Sequence, residues 1–251
     1  MLGGVLLAAV LAACGSSDDS RSPSATAGTA GPTPQGLERL DGFHYVASLT
    51  VRETASDREP AELLIATEGD YRRPDRHAFT YTVEIAGRTV SRSAVIIGEE
   101  AWLREDDGEW RPVAFDGPEL TELVAIAFSP AQPDFLGGAA YSRLLDSIRQ
   151  LAATEGTVND VPALRYVVHA EGRSFFQSFL AEEAQTPSET RWELWLAKDG
   201  SWPVRLSATA TVEGETALVG LTLEPPTSWE LRIDISRAND PSLTVEPPNG
   251  R

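Results

Sequence analysis

Side chains able to do chemistry are plentiful in this sequence, but their spacing assembles no catalytic centre. The three histidines, His44, His77 and His169, lie far apart and none stands in a His-x-x-x-His or Cys/His spacing, so no zinc ligand set is visible. His44 and His77 fall in strand-like segments and are expected on solvated strand faces. There is no Gly-x-Ser-x-Gly elbow, no phosphate-cradling glycine loop and no dinucleotide fingerprint. Among 38 Asp and Glu residues, neighbours such as Glu119 with Glu122, or Glu182 with Glu183, are expected by chance and define no acid–base pair. The acidic run at Glu99, Glu100, Glu105, Asp106 and Asp107 lacks the calcium-loop spacing and reads as the solvated tip of a hairpin. Of the six tryptophans, Trp102 and Trp110 flank one hairpin and Trp192, Trp195 and Trp202 another, with Trp195 on the opposite strand face from Trp192. Cross-strand packing is their expected use, and ring stacking on a sugar is the alternative. A protein without enzymatic activity, cofactor or metal is expected.

The most distinctive reactive group is the single cysteine, Cys14. It follows an uncharged apolar run, residues 1–13, which is too short for the ~20 residues a spanning helix needs and reads as a signal peptide. Leu11-Ala12-Ala13-Cys14 resembles the lipobox of bacterial lipoproteins. That resemblance implies a lipidated thiol, with two acyl chains holding the protein to the membrane at about 0.8 kcal/mol per buried CH₂. The expected location is the extracytoplasmic face of a cell membrane, the periplasmic side where two membranes are present. With Cys14 as the only thiol, the folded part contains no disulfide.

Residues 14–36 are nearly all Ser, Gly, Ala, Thr, Pro or Asp and cannot bury enough apolar surface to offset the entropy of ordering. They read as a tether with a typical end-to-end distance of about 25 Å. Residues 37–245 form the expected folded domain and 246–251 a loose tail; the Pro-rich stretch after Asn239 is expected to be loose as well. A net charge of −17 excludes binding driven by nucleic-acid phosphates and disfavours charge-driven adhesion to anionic lipid.

The domain opens on Phe43, Tyr45, Ala47, Leu49 and Val51 alternating with mostly polar neighbours, the signature of a half-buried strand. Further strands are expected at 61–67, 77–86, 88–97 and 101–105, with turns at Glu68-Gly69-Asp70, Gly87 and Asp107-Gly108. Two amphipathic helices follow. The first starts at Pro118 and carries Leu120, Leu123, Val124, Ala127 and Phe128; the second, 138–152, carries Tyr141, Leu144, Leu145, Ile148 and Leu151. A strand at 163–170, a short helix from Ser174 and a four-stranded meander at 191–197, 204–212, 217–223 and 229–235 complete the domain. Antiparallel strands with helices inserted between them predict an α+β fold.

Several segments are similar to the LppX/LprG-type lipoproteins and, more distantly, to the LolA/LolB lipoprotein carriers. They are Glu68-Gly69-Asp70-Tyr71 with Arg73-Pro74-Asp75-Arg76, Ile97-Gly98-Glu99-Glu100-Ala101-Trp102 with Trp110, Val161-Pro162-Ala163-Leu164-Arg165-Tyr166, and Glu193-Leu194-Trp195-Leu196-Ala197-Lys198-Asp199-Gly200. The resemblance implies an open antiparallel half-barrel whose concave face is covered by the helices, leaving an apolar cavity for acyl chains of lipids or lipoproteins. Candidate wall residues are Ile65, Phe79, Tyr81, Val83, Ile96, Leu123, Phe128, Leu144, Ile148, Val219, Leu221, Leu231 and Ile233; the same residues serve equally well as ordinary core. The partners so implied are the membrane, a lipid or acylated ligand, and a membrane transporter or envelope protein. An envelope sensor or scaffold of the same fold, working through a protein partner, is the alternative.

Overall fold

Alternating apolar positions become strands, and the way those strands pair sets the architecture. A computed structural model of the chain describes residues 36–54, 61–85, 87–127, 129–131, 139–170, 188–218 and 221–248. Its strands are β1 (Gly42–Glu53), β2 (Glu62–Arg72), β3 (Arg76–Ile85), β4 (Arg88–Ile97), β5 (Glu100–Glu105), β6 (Arg111–Val113), β7 (Thr154–Val158), β8 (Val161–Ala170), β9 (Ser188–Ala197), β10 (Pro203–Val212), β11 (Thr216–Leu218), β12 (Leu221–Leu223) and β13 (Thr227–Ser236). The helices are α1 (Pro118–Ile126) and α2 (Ala139–Ile148), and a 3₁₀ turn, Leu37–Arg39, precedes β1.

Eleven strands form one antiparallel sheet in the order β6-β5-β4-β3-β2-β1-β13-β10-β9-β8-β7. The chain meanders outward from β1 to one edge at β6, passes through α1 and α2, and re-enters at the opposite edge with β7. It then returns inward to β10. β13 lies between β10 and β1 and joins the two limbs, with Tyr45 opposite Ile235 and Ala208 opposite Leu231. Tight turns at Gly87, Gly98 and Gly200 have positive φ, where glycine carries no Cβ penalty.

The meander expected for the last strands is therefore corrected. β11 and β12 pair with each other as a separate two-stranded sheet, because a run broken into two three-residue pieces folds back on itself instead of extending the main ladder. Glu68-Gly69-Asp70 is not a turn either but continues β2. Gly69 is there for clearance: a Cβ would lie 2.6 Å from the Ala78 carbonyl oxygen and 2.8 Å from the Tyr45 hydroxyl. β7 escaped the sequence reading because Thr154-Glu155-Gly156-Thr157 has no apolar alternation. It is held by a hairpin with Asn159 and Asp160 at φ 50° and 63°, the left-handed conformation of a type I′ turn.

α1 begins at Pro118 as expected, with Glu119 in its first turn. α2 ends at Ile148, short of the predicted end at residue 152, and Leu151 is exposed instead of sharing the apolar face. The short helix expected from Ser174 lies outside the described residues, as do the signal peptide and most of the tether. The stretch after Asn239 is not loose up to Val245. Leu243 and Val245 are buried, Arg72 and Arg76 donate to their carbonyl oxygens, and Asn239 bonds with Asp41 and Gly42. The Ser242 hydroxyl and N–H donate to the Asp240 carboxylate and draw its pKa down to about 2.

Candidate functional site

The site begins with strand parity. On β1 the odd residues Phe43, Tyr45, Ala47, Leu49 and Val51 are all buried, and the positions between them face outward. The ladder carries this parity across the sheet, so that Leu49, Ile65 and Val83 stand side by side on one inner face, as do Tyr45, Gly69 and Phe79. The other limb contributes Trp192, Leu194, Leu206, Ala208, Trp229, Leu231 and Ile233. Leu120, Leu123 and Ala127 of the α1 segment and Tyr141, Leu144 and Ile148 of α2 belong to the same continuous buried cluster.

Of the thirteen sequence-nominated wall residues, Ile65, Phe79, Tyr81, Val83, Leu123, Leu144, Ile148, Leu231 and Ile233 are buried in that cluster. Ile96 and Leu221 pack against it half-buried, Leu221 from the small β11–β12 sheet and not from the main one. Phe128 and Val219 lie outside the described residues, as does Cys14.

Sequence reading missed the polar groups set into this apolar surface. His77 has the parity of Phe79, Tyr81 and Val83, so it belongs on the inner face and not on a solvated one, and that parity was the available signal. Its ring stacks on Phe79 with centroids 4.7 Å apart. Its Nε2 lies 2.8 Å from the Tyr45 hydroxyl and 3.3 Å from Ser129 Oγ, the direction of each bond following the imidazole tautomer. Burial disfavours the charged imidazole and pushes its pKa down to about 3. The same burial raises the Tyr45 phenol above its ordinary range.

The buried hydroxyls of Thr67, Tyr81, Tyr141 and Thr190 have no hydrogen-bond partner among the described residues. Thr67 and Tyr81 are direct cross-strand partners on β2 and β3. Burial raises the Tyr81 phenol to about 12 and the Tyr141 phenol further. The inner face is thus an apolar surface with isolated hydroxyls and one neutral imidazole, suited to holding a hydrocarbon with a few hydrogen-bonding groups. Proton shuttling would need a group titrating near neutrality, and His77 lies far below that range.

The outer face differs. Glu193 accepts from Arg165 and Arg191, and the Arg165 hydrogen bonds hold its carboxyl below the usual range. Asp234 accepts hydrogen bonds from Arg205 and Arg232. His44 is on this face, half-buried, 2.8 Å from Asp70 and 3.6 Å from Glu68. Trp195 is also outward, beneath the Arg165 guanidinium, while Trp192 is buried inside. The described residues also line two concavities. One of about 490 Å³ is bounded by His44, Asp70, Thr80, Ser93, Arg104 and Trp110; the other, of about 480 Å³, by Glu99, Trp102, Trp110, Pro247 and Pro248 among others. Among the described residues no cluster of three His, Cys, Asp or Glu side chains could hold a metal ion, and no helix is long and apolar enough to cross a membrane.

No family model matches the chain, and no curated protein matches it. Among solved structures it is similar to a LolA superfamily protein from Nitrosomonas europaea, at 11% identity over 83% of this chain and 91% of the other, with a TM-score of 0.27. It is also similar to an outer membrane lipoprotein-sorting protein domain from Vibrio parahaemolyticus, at 10% identity over 80% and 87% of the two chains, with a TM-score of 0.23. A third, a β-barrel-like protein of a domain of unknown function from Brucella abortus, gives 9% identity over 78% and 98%, with a TM-score of 0.19.

Proposed function

We propose that this chain is a lipid-anchored extracytoplasmic protein that takes the acyl chains of a lipid or lipoprotein onto the inner face of its sheet and carries or presents them without covalent chemistry. The observation behind this is the inner face itself, one continuous apolar surface shared by both limbs and both helices, yet interrupted by four hydroxyls without partners among the described residues. An ordinary core avoids such groups, because each unsatisfied buried hydroxyl costs about 1–3 kcal/mol. A surface that opens for an amphiphile recovers that cost whenever it is loaded.

α1 and α2 are the elements able to move. They belong to the edge-to-edge connection between β6 and β7 and make no ladder with the sheet, so lifting them exposes the inner face without breaking strand pairing. Attachment through lipid on Cys14 would keep this cover within reach of the bilayer surface from which the ligand comes.

The test is organic extraction and mass spectrometry of the purified protein, together with titration of an apolar fluorescent probe. Co-purifying lipid, or saturable probe binding that a bulky replacement such as Ala47→Trp reduces at least tenfold, supports the reading. If no lipid is extracted and no probe binds, the inner face is a closed core and the proposal fails.

A further inference from the structure

We infer that the outer face of β2–β5 carries a second binding site, for a small zwitterion with an oxyanion at one end and an ammonium at the other. Two cross-strand rows build it. Glu68, Thr80, Ser93 and Arg104 face one another in order across β2, β3, β4 and β5, and Asp70, Ala78 and Val95 form the adjacent row. Small side chains pave the two middle strands while long charged ones stand on the outer two, which leaves the groove of about 490 Å³ between them. Three strand spacings, about 14 Å, separate the β2 backbone from that of β5. The walls are too far apart to pair with each other across a floor of short side chains.

The walls are opposite in charge, and neither is neutralised by a strong partner. Arg104 has no carboxylate within ion-pair distance among the described residues, whereas Arg165, Arg205 and Arg232 on the same face each have one. Its guanidinium is instead held 4.8 Å over the Trp110 ring, with Nη2 at 3.4 Å from Ser93 Oγ and Nε buried without an acceptor among the described residues. In a chain of net charge −17 an unpaired, immobilised guanidinium is a poor use of a cation unless an anion comes to it. On the opposite wall Glu68 and Asp70 meet only the His44 ring, and no Lys or Arg pairs with them among the described residues. Hydroxyls of Thr80 and Ser93, 3.0 Å apart on the floor, add hydrogen-bonding capacity beside the guanidinium. A ligand whose oxyanion sits at Arg104 and whose ammonium reaches Glu68 and Asp70 matches both walls at once.

This site lies on the opposite side of the sheet from the apolar face and stands or falls independently of the acyl-chain reading. The experiment is calorimetric titration of this chain with phosphoethanolamine at low ionic strength, with ethanolamine and inorganic phosphate run separately. Saturable binding of phosphoethanolamine is expected, each half-molecule binding at least tenfold more weakly. Arg104→Gln, and the pair Glu68→Gln with Asp70→Asn, should each weaken it at least tenfold while leaving the urea midpoint and lipid content unchanged. Displacement by bilayer discs of phosphatidylethanolamine would assign the source as a membrane headgroup; retained binding without displacement would assign a soluble molecule. Absence of saturable binding, phosphate alone binding as tightly as the zwitterion, or Arg104→Gln binding like the parent would each overturn the site.

Discussion

The inner and outer faces of the same sheet treat polar groups in opposite ways. Outside, Glu193 and Asp234 each gather two guanidinium groups, all of them partly hydrated. Inside, Thr67, Tyr81, Tyr141 and Thr190 are buried and bonded to no other described residue. Solvated ion pairs contribute little to stability because water competes for every partner, whereas a buried hydroxyl has no substitute for a missing one. The groups that look most strongly bonded should therefore matter least, and those that look idle point to what the surface is for.

The first way to break this comparison is through the packing that underlies the inner face. Trp229→Ala should lower stability by about 3–5 kcal/mol, read from urea unfolding, because the ring is fully buried where β13 bridges the two limbs. A loss below 1 kcal/mol would mean that the limbs do not share a core.

Next in size is the effect of acid on His77. Above pH 6.5 neither the native nor the unfolded imidazole binds a proton. Between 6.5 and about 3 the unfolded form binds one and the native form does not, so stability falls as pH falls. The slope is up to about 1.4 kcal/mol per pH unit, which makes a His77→Gln variant lose up to about 2 kcal/mol less than the parent between pH 6.5 and 5. Parallel curves for the two proteins would place the ring in water.

Tyr81→Phe should leave the unloaded protein equal in stability or about 1 kcal/mol more stable, since it removes a buried hydroxyl without a partner among the described residues. It should weaken binding of an ester-bearing amphiphile more than that of a plain hydrocarbon probe. Destabilisation beyond 1 kcal/mol would reveal a partner for that hydroxyl and remove the contrast between the faces. The smallest effect belongs outside: Arg232→Ala should cost under about 1 kcal/mol, and less at high salt, because Asp234 keeps Arg205.

Much of this organisation is legible in the residues. Alternation at Phe43, Tyr45, Ala47, Leu49 and Val51 specifies a strand and its buried face, and Pro118 with the apolar positions behind it specifies where α1 starts. Nine of the nominated wall residues reach one cluster because parity and helical period are local properties that survive folding. Gly69 was misread because a glycine that makes a turn and a glycine that makes room are the same letter; only the Tyr45 hydroxyl above it tells them apart.

By itself, then, the sequence determined most of the stretches that extend or coil, the apolar side of those with clear alternation, and the net charge of the chain. Strand order was left to the tertiary structure: that β13 crosses to lie between β10 and β1, that the connection through α1 and α2 runs from edge to edge, and that Arg104 faces Glu68 across two strands of small side chains. The physical reason is range. Periodicity is set by the backbone within a few residues, whereas pairing between strands far apart in the chain depends on the whole set of competing ladders, and no single segment contains that information.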